Sequence, residues 1–409
     1  MDFETKLDRL AEVAVKVGLG LRAGQEVVMT APLEALPLAR LITRHAYRAG
    51  ASLVTTFYGD DQATLARFEE GAPESFDTAP NWLFEGMAKA YGNGAARLAI
   101  AGEDPALLAG QDPEKVSRAN RARSKAYQPA LQHIVDFHIN WSIVSFASPA
   151  WAKMVFPDAT EQDAVMKLWD AIFAASRIDQ VDPVAAWAAH NARLHDRKIF
   201  LNQRRYQALR FTGPGTNLTV GLADGHEWAG GSEVARNGIT CNPNIPTEEV
   251  FTTPHAERVD GHVRSTKPLS YQGTLIEDIS VRFEAGRIVE AHARTGEEVL
   301  KRVLETDAGA ARLGEVALVP HSSPISKSGI LFYNTLYDEN AACHIALGQA
   351  YNKCIRNFEQ MTEDQLLAAG ANRSLIHIDW MIGSGEIDID GVPESGQAEP
   401  LMRAGEWVI

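Results

Sequence analysis

The chain has 409 residues, 45% hydrophobic and 22% charged, with 53 acidic side chains against 39 Lys plus Arg and a formal net charge of −14. That length is large for one core and favours two domains of ordinary globular composition. The acidic balance disfavours binding to a phosphate backbone, and no run approaches the ~20 apolar residues of a membrane span.

The first residues, MDFETKLDRLAEVAVKVG, are acidic and amphipathic and do not follow a signal-peptide pattern. Three cysteines, Cys241, Cys343 and Cys354, include no Cys-x-x-Cys pair and offer no disulfide framework. A soluble cytoplasmic protein without nucleic-acid or membrane partners is expected. Leu7, Leu10, Val13, Ala14 and Val17 keep helical spacing. Strand candidates then follow at Glu26 to Thr30, Ser52 to Tyr58, Arg97 to Ala101 and Asn140 to Phe146. Helical stretches at Leu36 to Arg48, Trp82 to Tyr91 and Lys115 to Gln132 separate them. This alternation predicts an α/β N-terminal domain, a parallel sheet with flanking helices. Gly18, Gly20 and Gly24 precede a strand instead of following one, so they predict a turn and not a dinucleotide fingerprint.

Thr160 to Arg177 and Pro183 to Lys198 read as helices leading into the second half, with Trp169, Trp187 and His190 as core residues. From about Phe200 the texture changes. Short strand candidates at Ala208 to Phe211, Asn217 to Gly221, Glu257 to Ser265 and Thr274 to Phe283 are separated by Gly and Asp turns. The expected division is residues 1–195 and 196–409, the second an antiparallel-rich α+β domain.

That second half carries the chemistry. Glu248 and Glu249 lie between Pro246 and Pro254; adjacent strand residues face opposite ways, and spacing does not choose between them. Glu315 lies in the apolar strand candidate Leu313 to Val319, where a carboxylate is costly to bury unless paired or metal-bound. Asp338 to Tyr351, DENAACHIALGQAY, reads as a helix with Asn340 as N-cap and Glu339 just before it. His344 and Tyr351 would then share a face about 10 Å apart along the axis. Cys343, the neighbour of His344, reads as a buried small hydrophobe and not as a nucleophile. In IHIDW, Ile376, Ile378 and Trp380 point one way and His377 and Asp379 the other. Oxygen and nitrogen ligands from separate elements, with no thiolate, suit one or two divalent ions.

NIPTEEVFTTP, LGEVALV, NTLYDENAACHIALGQAY and HIDWMIG together resemble the thermophilic aminopeptidase family of dinuclear metallopeptidases. The likeness extends more loosely to Pro149-Ala150-Trp151-Ala152 and Val155-Phe156-Pro157. It implies that Glu249, Glu315, His344, His377 and Asp379 hold two divalent cations (Zn, Co, Mn or Mg), that Glu339 also touches a metal, and that Tyr351 is catalytic. It implies a homodimer as well, with the site on the second domain. The activity expected is hydrolytic removal of the N-terminal residue from peptides by a metal-activated water. Glu315 is expected to bridge, Tyr351 to donate to the oxyanion, and Glu249 to carry a proton. The alternatives are a dinuclear hydrolase of another amide or ester, for which Lys327 and Lys353 are the nearby cations, and a non-enzymatic peptide- or metal-binding protein.

Overall fold

The computed structural model describes residues 1–271 and 274–409. The chain forms two compact units. One is Met1–His190 with Ser232–Pro246, and the other is Asn191–Gly231 with Thr247–Ile409.

The first unit is built on a parallel sheet, in the order Leu53–Gly59, Glu26–Pro32, Ala96–Ala101, Trp141–Ser145. Helices join these strands as the alternation predicts. Leu36–Arg48 buries Leu38, Ala39, Ile42 and Ala46, one helical stripe, and starts with proline in its first turn. Glu161–Ala175 is capped by Thr160, whose hydroxyl accepts from the Asp163 amide, and buries Leu168, Trp169, Ile172 and Phe173. Trp187 and His190 are buried, and the Trp187 indole donates to the Ser176 carbonyl. Gly20 ends the first helical segment in the left-handed region, a turn and not a phosphate cradle.

A single division after residue 195 differs from these units in two respects: the first stretch ends at His190, and the chain re-enters the first unit at Ser232–Pro246. There a two-stranded hairpin, Glu233–Val234 with Thr240–Cys241, is tied down by backbone bonds. Asn242 donates to the Gly18 carbonyl, and the Ile143 amide donates to Pro243.

The second unit is dominated by antiparallel sheets. Its larger sheet runs Arg287–His292, Ser280–Glu284, Pro254–Arg264, Thr216–Leu222, Ala208–Gly213, Asp388–Val392, Glu399–Arg403, Glu406–Trp407. The stretch expected as one strand from Thr274 to Phe283 is two, because Asp278 adopts a positive φ of 54° between Thr274–Ile276 and Ser280–Glu284. The second sheet has four strands, His377–Met381, His344–Gly348, Leu313–Leu318 and Val250–Thr252, all antiparallel. Val316, Leu318, Ile345, Leu347, Ile378 and Trp380 join Phe211, Val220 and Val259 in one apolar core. One face of the four-stranded sheet is thereby consumed by packing. Its other face is where the polar residues go.

Among the described residues, no helix is long and apolar enough to cross a membrane.

Candidate metal centre

The expected helix over Asn340 to Tyr351 is not present. Glu339–Ala341 is a single 3-10 turn, His344–Gly348 is a strand, and Tyr351 follows in the loop before another 3-10 turn, Asn352–Cys354. Nor is Asn340 a helix cap. It is fully buried, its Oδ1 accepts from the Glu248 amide at 2.7 Å, and its Nδ2 donates to the Leu336 carbonyl. Ala346 and Gly348 belong instead to an inner strand buried on both faces. Short apolar runs satisfy both patterns, and here the ladder wins.

Register then explains the site. In an antiparallel pair, residues directly opposite each other point to the same face. Ala346 is opposite Asp379 on one side and Glu315 on the other, while His344 is opposite Ala317 and Gly348 is opposite His377. Phe251, two residues after Glu249, is opposite Ala317. His377, Asp379, His344, Glu315 and Phe251 therefore share the face turned away from the apolar core. Ala346 and Gly348, with almost no side chain, leave space among them.

Glu315 reaches that face through a bulge. The ladder pairs Leu313 with Leu347, then Glu315 with Ala346, a slip of one residue at Gly314. Plain alternation from Leu313 would turn Glu315 toward the core; the extra residue re-aims it. A Cβ at Gly314 would come within 2.2 Å of the Gln349 carbonyl, so the close approach demands glycine.

Two groups of potential ligand atoms result. Glu249, Glu315 and His344 form one, and Glu315, His377 and Asp379 the other, with the atoms of each within 4.8 Å of one another. Glu315 belongs to both. His344 Nε2 is 3.2 Å from Glu249 Oε2, and His377 Nε2 is 3.2 Å from Glu315 Oε2 and 3.5 Å from Asp379 Oδ1. Glu249 Oε2, His377 Nε2 and Asp379 Oδ1 are buried without a well-directed hydrogen bond. Such atoms, one in the first group and two in the second, fit cations better than a closed hydrogen-bond network.

Both imidazoles are oriented from behind. His344 Nδ1 is 3.1 Å from the Ala342 carbonyl and His377 Nδ1 is 2.7 Å from the Gln349 carbonyl. Donation from each Nδ1–H leaves the Nε2 lone pair toward the carboxylates, as a metal-binding histidine requires. Without a cation, electrostatics favour protonation. Burial alone would lower the His344 imidazole, but its close contact with Glu249 and the charges of Glu249, Asp379 and Glu315 push it up to about 10. His377 rises to about 11 against burial through Asp379 and Glu315. Burial pushes Glu315 up to about 7, with the charges of Asp379 and Glu249 adding to it while His377 opposes. Asp379, despite burial, is held low by His377 and His344.

Glu339 lies outside the two tight groups yet close to them. Its desolvated surroundings, then the charges of Glu249 and Asp379, hold its carboxyl well above the usual range. It also lines a small cavity with Leu269, Asn334, Asp338, Asp379 and Met381. Glu248 is buried too, but its charge acts on Arg197 and it joins neither ligand group.

Tyr351 arrives by a route the helix reading missed. Its ring centroid is 4.8 Å from that of His377 and 5.5 Å from that of Phe251. Desolvation and the charges of Glu315, Asp379, Glu339 and Glu249 hold its phenol well above the usual range, although the residue as a whole remains 40% exposed. Cys343 points to the opposite face of the strand from His344. It is buried, contacts the Val319 backbone, and burial pushes its thiol up to about 12.

Asn340 and Gly314 were the residues missed as site builders. Gly314 could have been noticed as a glycine inside a strand pattern, the usual mark of a bulge.

A family model described as thermophilic metalloprotease (M29) matches residues 3–407. The chain is 54% identical over 407 residues to Aminopeptidase T of Thermus thermophilus, covering 100% of this chain and 99% of that one. It is 45% identical over 405 residues to Aminopeptidase 2 of Geobacillus stearothermophilus, covering 99% and 98% respectively. A solved structure described as wild-type AmpT from Thermus thermophilus is similar with a TM-score of 0.94 at 53% identity, over 100% of both chains.

Proposed function

The chain belongs to the thermophilic metalloprotease family, M29, and from that premise we propose that it is a metal-dependent aminopeptidase that hydrolyses the N-terminal residue from peptides. The sharing of Glu315 between two ligand groups is the observation that carries the dinuclear form of this reading. Glu249, Glu315 and His344 would hold one divalent cation, and Glu315, His377 and Asp379 the other, with Glu339 adjacent. The oxygen and nitrogen donor set suits Zn, Co, Mn or Mg. Such a pair, when bound, supplies Lewis acidity and a water of lowered pKa.

The chain's own residues do the rest. The Ala342 and Gln349 carbonyls fix the two imidazoles, so the donor atoms are set before substrate arrives. Ala346 and Gly348 leave room for the substrate's amine and first carbonyl above the sheet. The Tyr351 phenol, kept protonated by its surroundings, donates to the oxygen on which charge develops. Glu249, at the strand edge, carries the proton to the leaving amine. A homodimer and a cytoplasmic location complete the proposal; light scattering and fractionation test them.

The direct test is hydrolysis of amino-acid p-nitroanilides by metal-loaded protein. Activity that disappears with chelator and returns with a divalent ion supports the reading. Unchanged activity after complete metal removal overturns it.

A further inference from the structure

We propose that Asn340 is a positioning residue that sets Glu249 for one of the two cation groups and does not act on the other; the inference rests on the dinuclear metallopeptidase reading above. The two groups differ in how their members are held. Glu315, His377 and Asp379 all lie within the strand ladder, opposite Ala346, Gly348 and Ala346 respectively. In the first group Glu315 and His344 do so too, but Glu249 directly precedes the strand Val250–Thr252, whose pairing with Leu313–Leu318 begins at Val250. The ladder thus fixes every candidate ligand of one group and all but Glu249 of the other. Glu249 nevertheless has a defined place, with Oε2 3.2 Å from His344 Nε2.

Asn340 supplies a tie at that point. Its Oδ1 accepts from the amide of Glu248, the neighbour of Glu249, at 2.7 Å. Its Nδ2 donates to the Leu336 carbonyl at 2.9 Å and lies 3.4 Å from Glu339 Oε1. A main-chain donor on one side and two acceptors on the other fix the orientation of the side-chain amide. Asparagine offers both an acceptor and donors, where leucine offers neither and an ionised aspartate lacks the donors. The residue is fully buried, so these partners are met within the protein and not by bulk water. Asn340 is anchored in turn, because Ser323 Oγ donates to its carbonyl at 2.9 Å. The same segment then enters the strand His344–Gly348 at His344. One amide therefore joins the segment of Glu249 to that of His344, two members of the same group. Removing a group that orients a ligand without touching the metal typically costs about 10–100-fold in metal affinity.

The test isolates each group in the full-length, chelator-stripped protein. His377→Ala leaves the group of Glu249, Glu315 and His344 complete, and His344→Ala leaves that of Glu315, His377 and Asp379. Cobalt(II) affinity is measured by calorimetry, with the visible absorption of the bound ion as a second readout. Added to His377→Ala, Asn340→Leu keeps the shape and removes the hydrogen bonds; it should weaken cobalt binding by about tenfold or more and alter the spectrum. Asn340→Asp in the same background keeps the acceptor for the Glu248 amide and should stay within about threefold. Added to His344→Ala, Asn340→Leu should change affinity by less than about twofold. Melting curves establish that each variant is folded. If Asn340→Leu is not, Asn340→Ala, which leaves room for water at the freed groups, takes its place with the same contrast expected. Equal losses in both backgrounds assign Asn340 to general stability and overturn the proposal, as does unchanged affinity in the first. Wild type that takes up fewer than two cobalt ions per chain refutes the dinuclear reading and the proposal with it. Two ions without cleavage of leucine p-nitroanilide refute the aminopeptidase reading alone.

Discussion

Glu315 lies directly across the strand ladder from Ala346, not from Ile345, because the pairing slips by one residue at Gly314. That slip decides which face of the sheet the carboxylate occupies. A Gly314→Ala substitution, whose Cβ would meet the Gln349 carbonyl, should cost about 1–3 kcal/mol of stability. It should also lower metal content and activity by more than the unfolded fraction explains. Denaturant titration and elemental analysis on the same preparation check both. A stable variant with full metal would remove the bulge from the account.

Tyr351→Phe separates the phenol from the ring. The ring's contacts with His377 and Phe251 survive the change, so metal content and stability should stay near wild type. Turnover should fall by roughly a hundredfold or more, as when one oxyanion donor is lost. Steady-state kinetics with unchanged turnover would take Tyr351 out of the mechanism.

The pH dependence of metal binding follows from the imidazoles. With His344 pushed up to about 10 and His377 to about 11, both carry protons at neutral pH in metal-free protein, and each must lose its proton to bind a cation. Apparent affinity should therefore rise with pH, by up to about tenfold per unit for each proton displaced. Calorimetry in buffers of different ionisation enthalpy counts those protons. Affinity that is flat between about pH 6 and about pH 9 would contradict the arrangement.

Blocking the substrate amine tests exopeptidase action. Acetylation of a good peptide substrate should suppress cleavage by roughly a hundredfold or more, equivalent to about 3 kcal/mol of transition-state binding. Comparable rates on free and acetylated peptides would indicate a different amidase.

Some of this was legible from residue patterns and some was not. The strand carrying His377 and Asp379 was readable because Ile378 and Trp380 mark its buried face by plain alternation. The parallel sheet was readable because each of its short strands is separated from the next by helical sequence. His344–Gly348 was misread because an inner strand buried on both faces has no polar alternation, and alanines suit tight helices as well. Gly348 holds the clue: at a φ of 96° it ends the strand, and a Cβ there would meet the Ile376 carbonyl at 2.2 Å. The return of residues 232–246 to the first unit rests on backbone hydrogen bonds, which leave no mark in composition.

The central claim is that one carboxylate joins two cation sites, and metal stoichiometry tests it most directly. Chelator-stripped wild type titrated with a divalent cation should take up two ions per chain and recover activity. His344→Ala, which loses a ligand from one group only, should retain the other ion, whereas Glu315→Ala should weaken both sites and abolish activity. Two ions and full turnover in Glu315→Ala would contradict the account.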